Sequence, residues 1–225
     1  PLNQEVYEEM YIACNTTLKN IRKEDFEKLL LEALIKSGEL IAIVGNSRPA
    51  SGAEHHIAHY LEFLGYDLFH GIKVGLATIY VIKLYEKLLN IDLDRIDKYL
   101  NYQIDVKLWK EEIKRYFPRI YKRVIEENLN RMNQFNDLSF RQSLLEKIKK
   151  NKDKIYHLAQ ELVNKKEEIF RAYQDINFSV NPKDWNIREE DIKTAIQYSL
   201  YIRDRFTILT LYQFLGILKN DKKLI

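Results

Sequence analysis

The scarcity of glycine and proline constrains the fold of this chain more than any other feature of its sequence. The 225 residues include seven glycines and four prolines, while leucine, isoleucine, lysine, glutamate and tyrosine are abundant. So little turn-forming material favours long helices over many short strands. We therefore predict an all-α, multi-helix fold. We expect residues 1–225 to form one helical domain, with a possible subdivision into site-bearing helices at 1–92 and peripheral helices at 93–225.

Charge and cysteine content narrow the classes of protein that the chain can represent. The 36 basic and 33 acidic residues give a formal net charge of +3, which does not indicate a nucleic-acid or membrane partner. No apolar run reaches the roughly 18 residues of a membrane span, and we find no secretory signal. Because Cys14 is the single cysteine, an intrachain disulfide is impossible. We predict a cytoplasmic protein without a membrane span and without a nucleic-acid partner.

Apolar residues repeat at helical spacing along most of the chain. The predicted helices cover residues 4–19, 24–44, 53–64, 72–89, 94–101, 105–116, 118–132, 139–163, 165–175, 188–203 and 207–217. Asn3 is a plausible N-cap of the first helix, which we expect to be core scaffold. The apolar end of the second helix, 40–44, is also consistent with a buried strand. Loops are predicted at 133–139 and 177–186, a turn at 65–67 and a break at 70–71.

Histidine and glycine are concentrated in one short stretch of the chain. Four of the five histidines lie between positions 55 and 70, and five of the seven glycines lie between 45 and 75. His55 and His59 are four residues apart on a predicted helix, so their rings share one face, and His70 follows after a turn. Three neutral imidazoles suit zinc, nickel or iron. The alternative is that these are ordinary polar histidines held by hydrogen bonds.

The loop that precedes these histidines is rich in hydrogen-bond donors. Asn46, Ser47, Arg48 and Ser51 supply amide, hydroxyl and guanidinium groups just before a predicted helix N-terminus. This arrangement suits an anionic or phosphorylated ligand. Ordinary turn and capping chemistry explains the same residues equally well. Neither of the usual zinc-peptidase motifs, H-E-x-x-H and H-x-x-E-H, is present, which disfavours a metallopeptidase.

These motifs together resemble one enzyme family. The string Gly-Asn-Ser-Arg-Pro-Ala-Ser-Gly-Ala-Glu-His-His at 45–56, then His59, then His-Gly-Ile-Lys-Val-Gly at 70–75, resembles the sn-glycerol-1-phosphate dehydrogenases. Segments 83–87 and 201–209 add to the resemblance. The family belongs to the superfamily of iron-containing alcohol dehydrogenases, glycerol dehydrogenases and 3-dehydroquinate synthases. The resemblance implies a carboxy-terminal helical domain of an oxidoreductase that acts in phospholipid metabolism.

The resemblance also implies cofactors and partners. It implies NAD or NADP, one divalent metal (zinc, nickel or iron), and reduction of the small phosphorylated substrate dihydroxyacetone phosphate to sn-glycerol 1-phosphate. The amino-terminal nucleotide-binding domain of the family is missing from this chain, which starts at Pro1 without an initiator methionine. We therefore expect a piece of a longer polypeptide that is inactive alone. Homo-oligomer formation stays open.

Family roles carry over to individual residues of the central stretch. The resemblance implies that His55 and His70 are metal ligands and that the third ligand is an Asp before residue 1. His59 is implied to line the site, and we expect it to relay a proton. The loop of Asn46, Ser47, Arg48 and Ser51 is expected to bind the substrate. Two alternatives stay open: a glycerol dehydrogenase-like enzyme for an unphosphorylated polyol, and a non-catalytic helical module that binds a metal or another ligand.

Overall fold

The computed structural model describes residues 3–220, and within that range the chain is helical and contains no strand. The prediction of an all-α fold is confirmed. The α-helices are α1 (Gln4–Lys19), α2 (Phe26–Val44), α3 (Ala53–Phe63), α4 (His70–Leu88), α5 (Val106–Tyr116), α6 (Tyr121–Asn136), α7 (Leu138–Lys150), α8 (Lys152–Asn164), α9 (Lys166–Asp175), α10 (Glu189–Tyr198), α11 (Ile208–Phe214) and α12 (Ile217–Asn220). Short 3-10 helices occupy Arg48–Ala50, Leu93–Tyr99, Pro182–Trp185 and Ser199–Tyr201. No helix within residues 3–220 is both long and apolar enough to cross a membrane.

The ends of the first two helices follow from local chemistry. The Asn3 side chain accepts a hydrogen bond from the Val6 backbone N–H at 3.3 Å, which confirms the predicted N-cap of α1. At the end of α2, Gly45 adopts a φ of 71° and stops the helix. Glycine has no Cβ and therefore adopts this left-handed conformation without strain. Residues 40–44 are the last turn of this helix and not a strand.

The predicted break at His70 is wrong, because His70 is the first residue of α4. The chain turns earlier, at Gly65, whose φ is 93°. Phe69 is extended, with φ and ψ of −53° and 140°, and leads directly into the helix. A glycine in the first helical turn, such as Gly71, costs helix propensity but does not stop the helix. His70 is therefore held by a helix and not by a flexible turn.

Two further boundaries differ from the sequence prediction. The predicted loop at 133–139 is mostly helical, because α6 runs to Asn136 and α7 begins at Leu138. Asp137 alone separates them, and its carboxylate caps α7 by accepting a hydrogen bond from the Phe140 N–H at 2.7 Å. The single helix predicted over 139–163 is divided at Asn151 into α7 and α8. The loop at 177–186 is confirmed and contains one 3-10 turn.

The core forms around α4, which contacts α3, α8 and α11. Buried apolar residues from Ala53 to Leu218 make one cluster that draws on both sides of position 92. The prediction that α1 belongs to the core scaffold is wrong. This helix packs mainly against α2, and Val6 is its buried residue. On α2, apolar residues surround the helix, so a single neighbour covers only one stripe and leaves Leu34 and Ile43 more than half exposed.

One buried acid ties the histidine-bearing helices to the carboxy-terminal ones. Asp191, in the first turn of α10, accepts hydrogen bonds from the Tyr66 hydroxyl and from Arg188 Nε and Nη2, the latter two at 2.8 and 2.9 Å. Tyr66 belongs to the turn between α3 and α4. Burial raises the pKa of the Asp191 carboxyl, but the hydrogen bonds from Arg188 and Tyr66 outweigh it and lower this pKa below its usual value.

The lowered pKa predicts how Asp191→Asn changes stability with pH. A carboxyl with a lowered folded-state pKa stabilises the protein above its unfolded-state pKa, about 3.8, and loses this contribution as the pH falls further. We expect Asp191→Asn to lower the free energy of unfolding by about 1–3 kcal/mol at pH 7 and by less at pH 3, measured by urea denaturation. Asp94→Asn, at an exposed carboxylate, is the control. An equal loss at both pH values would contradict the prediction.

Candidate functional site

Three histidines meet where α3 faces the start of α4. The ring centroids of His55 and His70 are 5.3 Å apart, as are those of His59 and His70. His55 and His59 lie 6.3 Å apart, as expected for residues one helical turn apart. The convergence of the three predicted rings is confirmed. They form what we call the histidine cluster: His55, His59 and His70.

Two glutamates hold the rings of the histidine cluster by one nitrogen each. Glu54 Oε1 lies 2.8 Å from His55 Nδ1. Glu62 bridges the other two rings, with Oε2 2.9 Å from His59 Nδ1 and Oε1 2.8 Å from His70 Nδ1. Sequence reasoning missed the role of Glu62. Its position three residues after His59 on one helix face was the available signal.

Hydrogen bonds keep both carboxylates ionised. Burial raises the pKa of Glu62, but hydrogen bonds from His70, His59 and Lys73 lower it to about 2. The Lys73 ammonium, itself buried, lies 3.3 Å from Glu62 Oε1. Burial also raises the pKa of Glu54, and hydrogen bonds from His55 and the Gly52 backbone N–H lower it overall. Ionised carboxylates only accept hydrogen bonds, so the Nδ1 atom of each ring carries the proton.

This tautomer leaves the Nε2 lone pairs of His55 and His70 available to a ligand. Neither Nε2 atom has a hydrogen-bond partner among residues 3–220. Histidines that bind metals commonly donate their other ring N–H to a carboxylate, which orients the ring and increases its basicity. Imidazole nitrogens with a nearby carboxylate are donors that suit zinc, nickel or iron. The residues of the histidine cluster therefore fit a divalent transition metal.

His59 differs from its neighbours because both of its ring nitrogens are engaged. Its Nδ1 donates to Glu62, and its Nε2 accepts a hydrogen bond from Arg203 Nη2 at 3.2 Å. A second ligand set is nevertheless possible by distance, since ligand atoms of His59, Glu62 and His70 all lie within 4.8 Å of one another. The two candidate sets share His70. The first adds His55, and the second adds His59 and Glu62.

The four residues of the predicted substrate loop fall into two pairs in the structure, and Ser47 and Ser51 are the pair that contacts the site. Ser47 Oγ accepts hydrogen bonds from Arg203 Nη1 at 3.3 Å and from Arg205 Nη2 at 2.8 Å. The Ser51 carbonyl accepts another from Arg205 Nη1 at 2.8 Å. Because Arg203 also contacts His59, Ser47 and Ser51 are linked to the histidine cluster through these arginines.

Asn46 and Arg48 are exposed and serve the loop itself. The Asn46 side chain accepts from the Arg48 backbone N–H at 3.0 Å and donates to the Val44 carbonyl at 3.2 Å. The structure does not bring the side chain of either residue into hydrogen-bond contact with the histidine cluster. The side chain of Asn46 therefore stabilises the turn itself, which is the second of the two roles that the sequence allowed.

Sequence reasoning missed Arg203 and Arg205 as site residues. Both lie in segment 201–209, where the family resemblance was the available signal and no residue pattern indicated a site. His56 was also passed over; it is completely buried, and neither ring nitrogen has a partner among residues 3–220. Burial, with the positive charge of Arg205, lowers the pKa of His56 to about 4. His56 is therefore neutral.

Comparison with known proteins points to the nicotinamide-dependent dehydrogenases. The matching relatives are named glycerol-1-phosphate dehydrogenase [NAD(P)+], and one from Archaeoglobus fulgidus is 55% identical over 60 residues, 26% of this chain and 17% of the relative. One from Halalkalibacterium halodurans is 53% identical over 64 residues, covering 26% and 16%. One from Bacillus subtilis is 33% identical over 99 residues, covering 41% and 25%.

These matches confirm the resemblance to glycerol-1-phosphate dehydrogenases over part of the chain. No protein-family model matches it. The matched segments span a quarter or less of the length of these three relatives. What a whole enzyme of this family does is therefore a matter of proposal for this chain.

Proposed function

We propose that this chain is the helical, metal- and substrate-binding part of an NAD(P)H-dependent oxidoreductase that interconverts dihydroxyacetone phosphate and sn-glycerol 1-phosphate. One observation carries the proposal: His55 and His70 meet with both Nε2 atoms free and both Nδ1 atoms bound to carboxylates. The partial similarity to enzymes named glycerol-1-phosphate dehydrogenase [NAD(P)+] supports the reaction and the nicotinamide cofactor.

In this proposal His55 and His70 hold a divalent metal through Nε2. A bound zinc, nickel or iron ion supplies Lewis-acid stabilisation of negative charge on the substrate carbonyl oxygen. Glu54 and Glu62 orient the two rings and fix their tautomers. The third ligand that the resemblance implies, an Asp before residue 1, remains part of the proposal.

His59 is proposed to exchange the proton with the substrate oxygen. Glu62 holds the proton on Nδ1, so Nε2 is the nitrogen that takes up and releases a proton. Arg203 donates to this same Nε2 and has to release it before the substrate oxygen can bind there.

The test of the proposed function is oxidation of NADH or NADPH by the natural polypeptide that carries this chain, with dihydroxyacetone phosphate as substrate. We expect turnover, and we expect His59→Ala to lower kcat by about 10²-fold through loss of proton transfer. His157→Ala, an exposed histidine on α8, is the matched control. No turnover by the unmodified polypeptide would refute the proposed reaction, and full turnover by His59→Ala would refute the proton-transfer role.

A further inference from the structure

Two arginines from the carboxy-terminal part of the chain converge on one hydroxyl group beside the histidine cluster. Arg203 and Arg205 both donate to Ser47 Oγ, at 3.3 and 2.8 Å. Their other acceptors within residues 3–220 are neutral: His59 Nε2 for Arg203 and the Ser51 carbonyl for Arg205. Within residues 3–220 neither guanidinium forms an ion pair with a carboxylate. Two positively charged guanidinium groups, both partly buried, are therefore hydrogen-bonded to neutral acceptors.

Nearby acids do not neutralise this pair of arginines. Asp204, which lies between them in sequence, is turned away and pairs with Arg131 at 3.1 Å. Glu54 is close enough for its charge to act on Arg205, but its carboxylate is bonded to His55 and to the Gly52 N–H. Neither acid forms an ion pair with Arg203 or Arg205 within residues 3–220.

The charge of a third guanidinium, that of Arg48, also acts on Arg205. Burial lowers the pKa of Arg205, and the positive charges of Arg203 and Arg48 lower it further. Like charges that gather without a counter-ion destabilise the folded protein unless an anion binds among them. Guanidinium groups present paired N–H donors that match the oxygens of a phosphate group.

We propose that Arg203, Arg205 and Ser47 bind the phosphate monoester of the substrate, with Arg48 at the rim. The site, which we call the arginine pair site, is defined by these two arginines and the Ser47 hydroxyl. The choice of substrate rests on the proposed function, whereas the presence of an anion site rests on the arginine geometry alone. An anion site at this place favours binding of a phosphorylated three-carbon substrate over binding of a free polyol.

A phosphate monoester can come from the substrate or from the 2′-phosphate of NADP. The structure favours the substrate, because Arg203 touches both Ser47 and His59. A phosphate held by Arg203 lies one side chain away from the histidine cluster, where the reacting carbonyl has to be placed. The 2′-phosphate of a nicotinamide cofactor lies at the adenosine end, far from its reacting ring.

The test is titration of the full chain with inorganic phosphate at constant ionic strength, followed by calorimetry. We expect binding to the unmodified chain and at least a roughly tenfold loss in the double variant Arg203→Met, Arg205→Met, because charge-assisted hydrogen bonds are lost. Arg95→Met removes an arginine that is 85% exposed and pairs with Asp92, and it serves as the control. No binding to the unmodified chain, or equal binding to the double variant, would overturn the proposal.

Competition identifies the source of the phosphate. We expect sn-glycerol 1-phosphate to displace inorganic phosphate and glycerol to leave it bound. Stronger displacement by adenosine 2′-phosphate than by sn-glycerol 1-phosphate would overturn the substrate assignment. If the double variant fails to fold by circular dichroism, Arg205→Lys decides: it keeps one charge but loses the paired donors, so weaker phosphate binding supports the site and unchanged binding refutes it.

The outcome separates this site from the proposed function. Phosphate binding that depends on the two arginines, without oxidation of NADH or NADPH by the natural polypeptide, supports the anion site and refutes the dehydrogenase. Turnover with an unchanged KM for dihydroxyacetone phosphate in the double variant supports the dehydrogenase and refutes the anion site. Metal affinity, measured in the same variants, is expected to stay the same because His55 and His70 do not contact either arginine.

Discussion

Arg141→Met is expected to lower the free energy of unfolding by about 3–5 kcal/mol. Arg141 lies on α7 and is 1% exposed. Its guanidinium donates to four backbone carbonyls, those of Tyr99, Leu100, Phe135 and Phe214, at 2.6 to 2.9 Å. Methionine fills a similar volume but donates to none of them. The substitution leaves buried acceptors without donors, which is the costly case for hydrogen bonds.

The four carbonyls explain why a charge is tolerated in the core. Phe135 belongs to the last turn of α6, Phe214 ends α11, and Tyr99 ends the 3-10 helix Leu93–Tyr99. Carbonyls at helix ends have no partner within the helix and carry partial negative charge. Arg141 therefore caps three helices at once, and the Phe214 ring, with its centroid 4.4 Å from the guanidinium carbon, adds a cation–π contact.

Urea denaturation followed by circular dichroism measures this effect. Arg123→Met is the matched control, because Arg123 is 68% exposed and pairs with Glu127 on the surface of α6. We expect a change of less than about 0.5 kcal/mol for the control. Equal stability of the Arg141 and Arg123 variants would show that the buried guanidinium does not hold the three helix ends together.

Local signals allowed much of the helical fold to be predicted from sequence. The N-cap at Asn3, the stop at Gly45 and the spacing of His55 and His59 depend on residues within one or two turns of each other. The exposure of α2 was not predictable in the same way. Its apolar residues indicate burial, but which of them are covered depends on how many helices pack there, and in residues 3–220 the main neighbour is α1.

Contacts between distant residues limited the prediction of the site. Arg205 and Ser47 are 158 positions apart, and Arg141 meets carbonyls 41 and 73 positions away. Periodicity carries no information about such pairs. Arginine on an amphipathic helix indicates a solvent face, so Arg141 would be assigned to the surface. Glu62 is different, because its i, i+3 relation to His59 was readable from the sequence.

His55→Ala and His70→Ala are each expected to weaken divalent metal binding by roughly 10²–10³-fold in the natural polypeptide that carries this chain. A four-ligand zinc site contributes about 10–16 kcal/mol, so one ligand accounts for about 2.5–4 kcal/mol. His59→Ala is expected to change metal affinity by less than about fivefold, because the role proposed for His59 requires no bond to the metal. Competition with a metal-binding dye measures all three affinities.

The comparison of His55→Ala with His59→Ala decides between the two possible ligand sets. The set of His55 and His70 requires Nε2 donors, and both of these atoms lack hydrogen-bond partners in the described residues. The set of His59, Glu62 and His70 requires that His59 leave Arg203 or Glu62, and that Glu62 give up a ring or the Lys73 ammonium. Weaker binding in His59→Ala with normal binding in His55→Ala would establish the second set.

Substitutions of Glu54 and Glu62 test the same metal site through the hydrogen bonds that orient its histidines. Glu54→Gln and Glu62→Gln keep the shape of the side chain but remove the charge that fixes each ring, so we expect metal affinity to fall by about 10–100-fold. Within the histidine cluster Glu54 bonds to His55 alone, whereas Glu62 bonds to His59 and His70 and also to the Lys73 ammonium. If His55 and His70 are the ligands, Glu54→Gln must weaken binding. In the second set Glu54 touches no ligand, and the same variant leaves the affinity unchanged.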